Sequence, residues 1–155
     1  MERRRFALII SSLVAFASSG LAKLGRSAIV KKVIQTIKAP KAIGPYSQAI
    51  AANGFIFCSG QIPADAETGQ LSTGTIEEQT RLVFKNIGAV LEAAGSSYAD
   101  IVKATVFLQD MNDFTRMNAA YSEFFETSYP ARSTVQVARL PRDAKVEIEV
   151  IAVVK

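Results

Sequence analysis

The sequence predicts an α+β domain in which two helices cover one face of a mixed sheet, and three observations carry that prediction. Short runs rich in branched and aromatic residues recur at 46–52, 55–58, 101–108, 133–138 and 145–154, the composition of half-buried strands. Two longer segments, 76–94 and 114–125, instead repeat apolar residues at helical spacing. The resulting order is strand, strand, helix, strand, helix, strand, strand. At 155 residues and 49% hydrophobic, the chain has material for one core.

Each element has a local reason. Gly44-Pro45 and Asn53-Gly54 bracket the first strand, and Asn-Gly before Phe55-Ile56-Phe57-Cys58 is a strong hairpin signal. A polar loop from Ala64 to Gly74 follows. Thr75-Ile76-Glu77-Glu78 then fits the capping box, in which a threonine hydroxyl and a glutamate three residues on satisfy each other's free amides. Ile76, Leu82 or Val83, Ile87, Val90, Leu91 and Ala94 recur at the spacing of one face of the helix this starts, and Gly95 supplies its left-handed stop. Ile101–Leu108 reads as a strand. Asn112 or Asp113 is placed to cap the second helix, with Phe114, Met117, Tyr121, Phe124 and Phe125 as an apolar stripe read as ordinary core, and Pro130 as its end. The last two strands are expected to pair as a hairpin across Leu140-Pro141-Arg142-Asp143.

The N-terminal stretch reads differently, and residues 1–36 are expected to be a targeting leader or extension outside a domain spanning 37–155. Three arginines open it, Phe6–Phe16 is an apolar run broken by two serines, and small residues follow at 17–22. Scattered basic residues, serines and the lack of acids from Arg3 through Ala64 fit mitochondrial import. The competing readings are secretion, an uncleaved membrane anchor, or an extension on a cytoplasmic protein.

Charge and inventory exclude several chemistries. Residues 1–64 hold nine Lys/Arg against one acid, a net of +8, whereas residues 65–155 carry −4. The basic character belongs to the front of the chain, which argues against a nucleic-acid partner for the body. With no histidine and Cys58 as the single cysteine, a zinc site, a Ser-His-Asp triad and an intrachain disulfide are ruled out. Cys58, in an apolar run, reads as a small core residue.

One arginine and two carboxylates stand on otherwise apolar strands near the C-terminus: Arg132 in Pro130-Ala131-Arg132-Ser133-Thr134, and Glu147 and Glu149 in Val146-Glu147-Ile148-Glu149-Val150. Burying such charges without partners costs several kcal/mol or more, so they lie at a solvated edge or have a chemical task. The alternation of Glu147 and Glu149 with branched residues also fits a plain solvent face, and Arg132 also fits a surface or intersubunit ion pair. Both readings are open on the residues alone.

Four separated motifs resemble the Rid (YjgF) family, in its RidA branch: Gly44-Pro45-Tyr46-Ser47-Gln48, Ser59-Gly60-Gln61-Ile62-Pro63, Pro130-Ala131-Arg132-Ser133 and Val146-Glu147-Ile148-Glu149. The resemblance runs from about Ile37 to Val154. It implies a chorismate-mutase-like fold assembled as a homotrimer with sites between subunits. It also implies cofactor-free hydrolysis of imino and enamino acids, such as 2-aminoacrylate, 2-iminopropanoate and 2-iminobutanoate, to 2-keto acids and ammonia. By the same resemblance Arg132 binds the substrate carboxylate, Glu147 handles the attacking water, and Tyr46, Gly60, Asn118 and Thr134 line the cleft. Thr134 departs from the cysteine many members carry there, so thiol redox behaviour is not expected.

Those roles suit the residues. A guanidinium grips a carboxylate through two parallel hydrogen bonds, and one carboxyl group serves both to position water and to shuttle protons. In the expected hairpin Arg132 faces Ala152, on the order of 17 Å from Glu147 at the usual rise per residue. A neighbouring copy is therefore expected to supply the missing partner. Two other functions remain for comparison: a carboxylate-binding or chaperone-like trimer without turnover, and an endoribonuclease, which the acidic body disfavours.

Overall fold

The computed structural model describes residues 30–126 and 128–154; most of the expected leader lies outside them. Six strands, β1 Lys32–Ile34, β2 Ala49–Ala52, β3 Phe55–Gln61, β4 Ile101–Leu108, β5 Ala131–Gln136 and β6 Val146–Val153, form one sheet in the order β1-β2-β3-β6-β4-β5. Two helices, α1 Ile76–Ala93 and α2 Phe114–Ser122, complete it. The class is the expected α+β mixed sheet. β1 pairs with β2 inside the span read as leader, so the sheet starts ahead of Ile37.

Local signals act as the residues predict. Asn53 and Gly54 both take positive φ, 51° and 80°, in the turn between β2 and β3, the geometry that matches hairpin twist. Both halves of the capping box form at α1: the Glu78 amide donates to Thr75 Oγ1 at 3.3 Å and the Thr75 amide to Glu78 Oε2 at 2.7 Å. Gly95 follows the helix with φ 78°. At α2 the capping oxygen is that of Asp110, which accepts from the Asn112 amide at 2.9 Å at the start of a 3-10 turn, in place of Asn112 or Asp113. This helix stops at Ser122, well before Pro130. Phe124 and Phe125 leave it to stack on Phe84 and Tyr121, with centroids 4.4 and 4.9 Å apart.

The largest correction concerns the C-terminal strands. β5 and β6 do not form a hairpin: β5 runs parallel to β4, with α2 as the crossover, and β6 lies between β3 and β4, antiparallel to both. Burial explains the choice. Val146, Ile148, Val150 and Ala152 are all buried, which a central position permits, whereas Arg132, Ser133, Thr134 and Gln136 give β5 the polar character tolerated at an edge.

Register then assigns the faces, since paired residues point to the same side. Ile56, Cys58, Ala104, Val106, Leu108 and the four buried β6 residues face the helices, where Val83, Phe84, Ile87 and Leu91 of α1 and Met117 and Tyr121 of α2 meet them. Cys58 is a core residue, as expected, and burial pushes its thiol up to about 12. No helix among the described residues covers the other face. That face carries Phe55 and Phe57, 42% and 46% exposed, together with Phe107, Ile151, Glu147 and Glu149.

Candidate active site in two halves

The six expected site residues fall into two groups on opposite faces of the sheet. Arg132 pairs in register with Ala104, on the helix-covered face, while Glu147 pairs with Phe107, on the open one. Ala104 is in turn opposite Val150, so the two charges are also three residues along and two strands across, about 14 Å at ordinary strand spacings. The separation expected from the sequence holds, though by a different route. One chain cannot bring them to one small molecule.

The first half is built around Glu147. A β-bulge between Cys58 and Gln61 brings Gly60 against it, and a Cβ added to Gly60 would overlap Glu147 Oε1 and come within 2.8 Å of Cδ. The carboxylate thus occupies the space a side chain would need. Its pKa is raised, first by burial and then by the like charge of Glu149 two residues on. Tyr46 joins Gly60 in lining a cavity of about 240 Å³. Tyr46 sits on a tight turn closed by its amide to the Gly44 carbonyl at 2.8 Å. That turn is tied to β3, because Ser59 donates its hydroxyl to the Ser47 carbonyl at 2.6 Å and its amide to the Gln48 carbonyl at 3.0 Å. A wider cavity of about 670 Å³ opens beside Tyr46 among residues 35–48, away from both charges.

The second half surrounds Arg132. Its guanidinium carbon lies 4.4 Å from the centroid of the Tyr121 ring and 5.9 Å from that of Phe114, within cation–π range. Phe114, Asn118 and Tyr121 stand four and three residues apart on one face of α2. Thr134 shares the Arg132 side of β5. Asn118 Oδ1, the Tyr121 hydroxyl and Thr134 Oγ1 are buried and lack a hydrogen bond of good geometry among the described residues. An unmet atom of this kind costs roughly 1–3 kcal/mol; the Tyr121 hydroxyl interacts with the Arg132 guanidinium, so Asn118 and Thr134 are the polar groups beside it that a bound acid can satisfy. Burial raises the Tyr121 pKa, and the nearby Arg132 opposes that rise.

Arg132 has no ion-pair partner among the described residues, whereas Arg81, Arg116 and Arg139 each hold a carboxylate. Phe114 and Tyr121, read from the sequence as plain core, are the floor beneath Arg132. Their signal was present in the i, i+4, i+7 spacing with Asn118. No group of three His, Cys, Asp or Glu among the described residues is placed to hold a metal.

The family model described as Endoribonuclease L-PSP matches residues 36–154. The chain belongs to the Rid (YjgF) family. Among relatives of this Rid protein, a RutC family protein of Pyrococcus abyssi is 57% identical over 124 residues, spanning 80% of this chain and 98% of its own. The 2-iminobutanoate/2-iminopropanoate deaminase of Bos taurus is 49% identical over 127 residues, 82% of this chain and 93% of that one. Among solved structures, the E. coli TdcF protein with bound serine has a TM-score of 0.77 at 48% identity, covering 80% of this chain and 99% of its own.

Proposed function

We propose that this Rid chain hydrolyses small 2-imino acids and their enamine tautomers to 2-keto acids and ammonia, at a site completed between copies of the chain. The observation that carries the reading is a division across the sheet: a guanidinium without an ion-pair partner among the described residues, beside Asn118 and Thr134, on one face, and a half-buried carboxyl group against a glycine on the other. Deaminase-named relatives at about half identity support the same reaction class. The uncovered sheet face, with Phe55 and Phe57, is the surface against which another copy packs in this reading, and three copies around an axis close the set.

Arg132 of one copy holds the substrate carboxylate bidentately, its plane steadied by Tyr121 and Phe114. Asn118 and Thr134 meet the remaining polar atoms. The carboxylate of Glu147 of the next copy takes a proton from water as the oxygen attacks the carbon of the protonated imine, gives that proton to the nitrogen of the carbinolamine, and takes up the hydroxyl proton as the C–N bond breaks and the C=O bond forms. Keto acid and ammonia leave, the ammonia carrying that last proton away as ammonium, and the carboxylate is restored. A raised pKa suits a group that must both take and give a proton near neutral pH. Because such imines already hydrolyse readily, an acceleration of about 10²–10⁴ from acid–base help is enough.

The test is to generate 2-aminoacrylate or 2-iminobutanoate in situ with a dehydratase or an amino-acid oxidase and follow ammonia and keto-acid release. Acceleration by the wild type, lost in Glu147→Gln while binding of a small 2-keto acid is kept, supports the reading. Binding without acceleration identifies a carboxylate binder, and cleavage of RNA without acceleration identifies a ribonuclease. The segment ahead of β1 is proposed to direct the chain to mitochondria, which its fusion to a fluorescent reporter checks.

A further inference from the structure

Five arginines lie among the described residues, and three of them are committed to carboxylates at 2.6–2.7 Å: Arg81 to Glu123, Arg116 to Glu77 and Arg139 to Asp143. Arg132 belongs to the half-site described above. The fifth, Arg142, is exposed, has no carboxylate partner in this set, and has one hydrogen bond that ties it to a neighbouring loop. It sits in the 3-10 turn Pro141–Asp143 with φ 59°, followed by Asp143 with φ 61°. Two consecutive side-chain-bearing residues in the left-handed region are disfavoured by about 1–2 kcal/mol each. Backbone in such a conformation persists only where its surroundings hold it.

What holds it is visible. Arg142 Nη1 donates to the Gly69 carbonyl at 2.7 Å. Gly69 is in a loop organised by Asp65, whose carboxylate accepts from the Thr68 amide at 2.8 Å and the Glu67 amide at 3.1 Å, and whose carbonyl accepts from the Gly69 amide at 2.9 Å. One of the five guanidinium donors is thereby spent on an ordered loop, and none on a carboxylate. Arg142 lines the same 240 Å³ cavity as Tyr46 and Gly60. Lys41 and Glu67 are the other charged residues lining it, so the cavity wall carries a net positive charge at neutral pH.

We propose that Arg142 is a specificity-determining residue that binds a second, distal carboxylate, so that the site accepts imines derived from acidic amino acids as well as small apolar ones. The inference rests on the deaminase reading and deepens it. Arg132 of one copy fixes the carboxylate beside the reacting carbon. Arg142, in the cavity lined by Tyr46 and Gly60, receives the carboxylate at the end of the substrate's side chain through its unspent donors.

The experiment compares wild type with Arg142→Gln, Arg142→Met and Arg142→Lys. Imines are generated in situ from L-alanine and L-glutamate by the corresponding oxidases, and kcat/KM is measured for each. The expected result is that the glutamate-to-alanine ratio of kcat/KM falls by on the order of 10-fold in Arg142→Gln and Arg142→Met, the size of a lost charged hydrogen bond. The loss should lie mainly in KM, and Arg142→Lys should recover much of the ratio. An unchanged ratio in both uncharged variants, with wild type active on the alanine-derived imine, overturns the role of Arg142 and leaves the deaminase reading standing. Wild type inactive on both imines overturns the two together. If one uncharged variant does not fold, as judged by circular dichroism, the ratio in the other decides.

Discussion

Because Arg132 and Glu147 lie on opposite faces of one sheet, about 14 Å apart by strand spacing, two inactive variants of the chain should repair each other. Arg132→Ala removes the carboxylate clamp and Glu147→Gln the acid–base group; each alone should lower kcat/KM by roughly 10²-fold or more. When the two variants are denatured, mixed in equal amounts and refolded together, a shared site is intact only where an Arg132-bearing copy meets a Glu147-bearing one. For random placement in a closed ring that occurs at about one quarter of sites. A control sharpens the arithmetic. Refolding wild type with an equal amount of the double variant should also leave about one quarter of wild-type activity per site if sites are shared, against about one half if each chain works alone. The assay is ammonia release from an imine generated in situ, with the unmixed variants as baseline. Activity that stays at that baseline after co-refolding, while the wild-type control leaves one half, would refute the two-face argument.

Four more outcomes rest on particular contacts. Glu147 is held above its ordinary value by burial and by Glu149, so the acidic limb of kcat/KM should lie above the usual carboxylate range, and Glu149→Gln should move it down; a limb that moves up in that variant contradicts the assignment. The same shift makes the folded chain favour the protonated acid, so the stability Glu147 contributes is full below its unfolded value and is lost as pH rises through the raised one; denaturant melts of wild type and Glu147→Gln across pH 4–8 check the sign. Gly60→Ala should displace the Glu147 carboxylate, which can swing away, and so lower activity at least 10-fold with a smaller effect on the urea midpoint, since a charge moved from its productive position loses most of its acid–base help. Thr75→Ala removes the hydroxyl that caps α1 and should cost about 1 kcal/mol in urea melts.

The helices were legible because their signals are local. The Thr75/Glu78 capping box, the Gly95 stop and the Asn53-Gly54 turn each act within a few residues, and the sequence is enough to place them. The order of strands was less accessible. Nothing local tells β6 to insert between β3 and β4; that choice balances the burial of Val146, Ile148 and Val150 against the polar side chains of β5, a comparison made only when the whole sheet is assembled. β1 was missed for a related reason: three residues beside lysines carry little strand signal until Ile34 finds Ala49 opposite it. The charged residues Arg132 and Glu147 were conspicuous on apolar strands, while the contact of Phe114 and Tyr121 with Arg132 was not, because an aromatic that supports a guanidinium has the same periodicity as one that packs a helix; Tyr121 does both.

The back-to-back arrangement of the two charges has a consequence for how such a gene can diverge. If the site is completed between copies as proposed, one paralogue can lose its guanidinium and the other its carboxylate after duplication, and a mixed assembly keeps working sites. Division of labour between two chains is thus open to this fold from a single ancestor, and a lineage carrying two unequal copies, each inert alone, would be its signature.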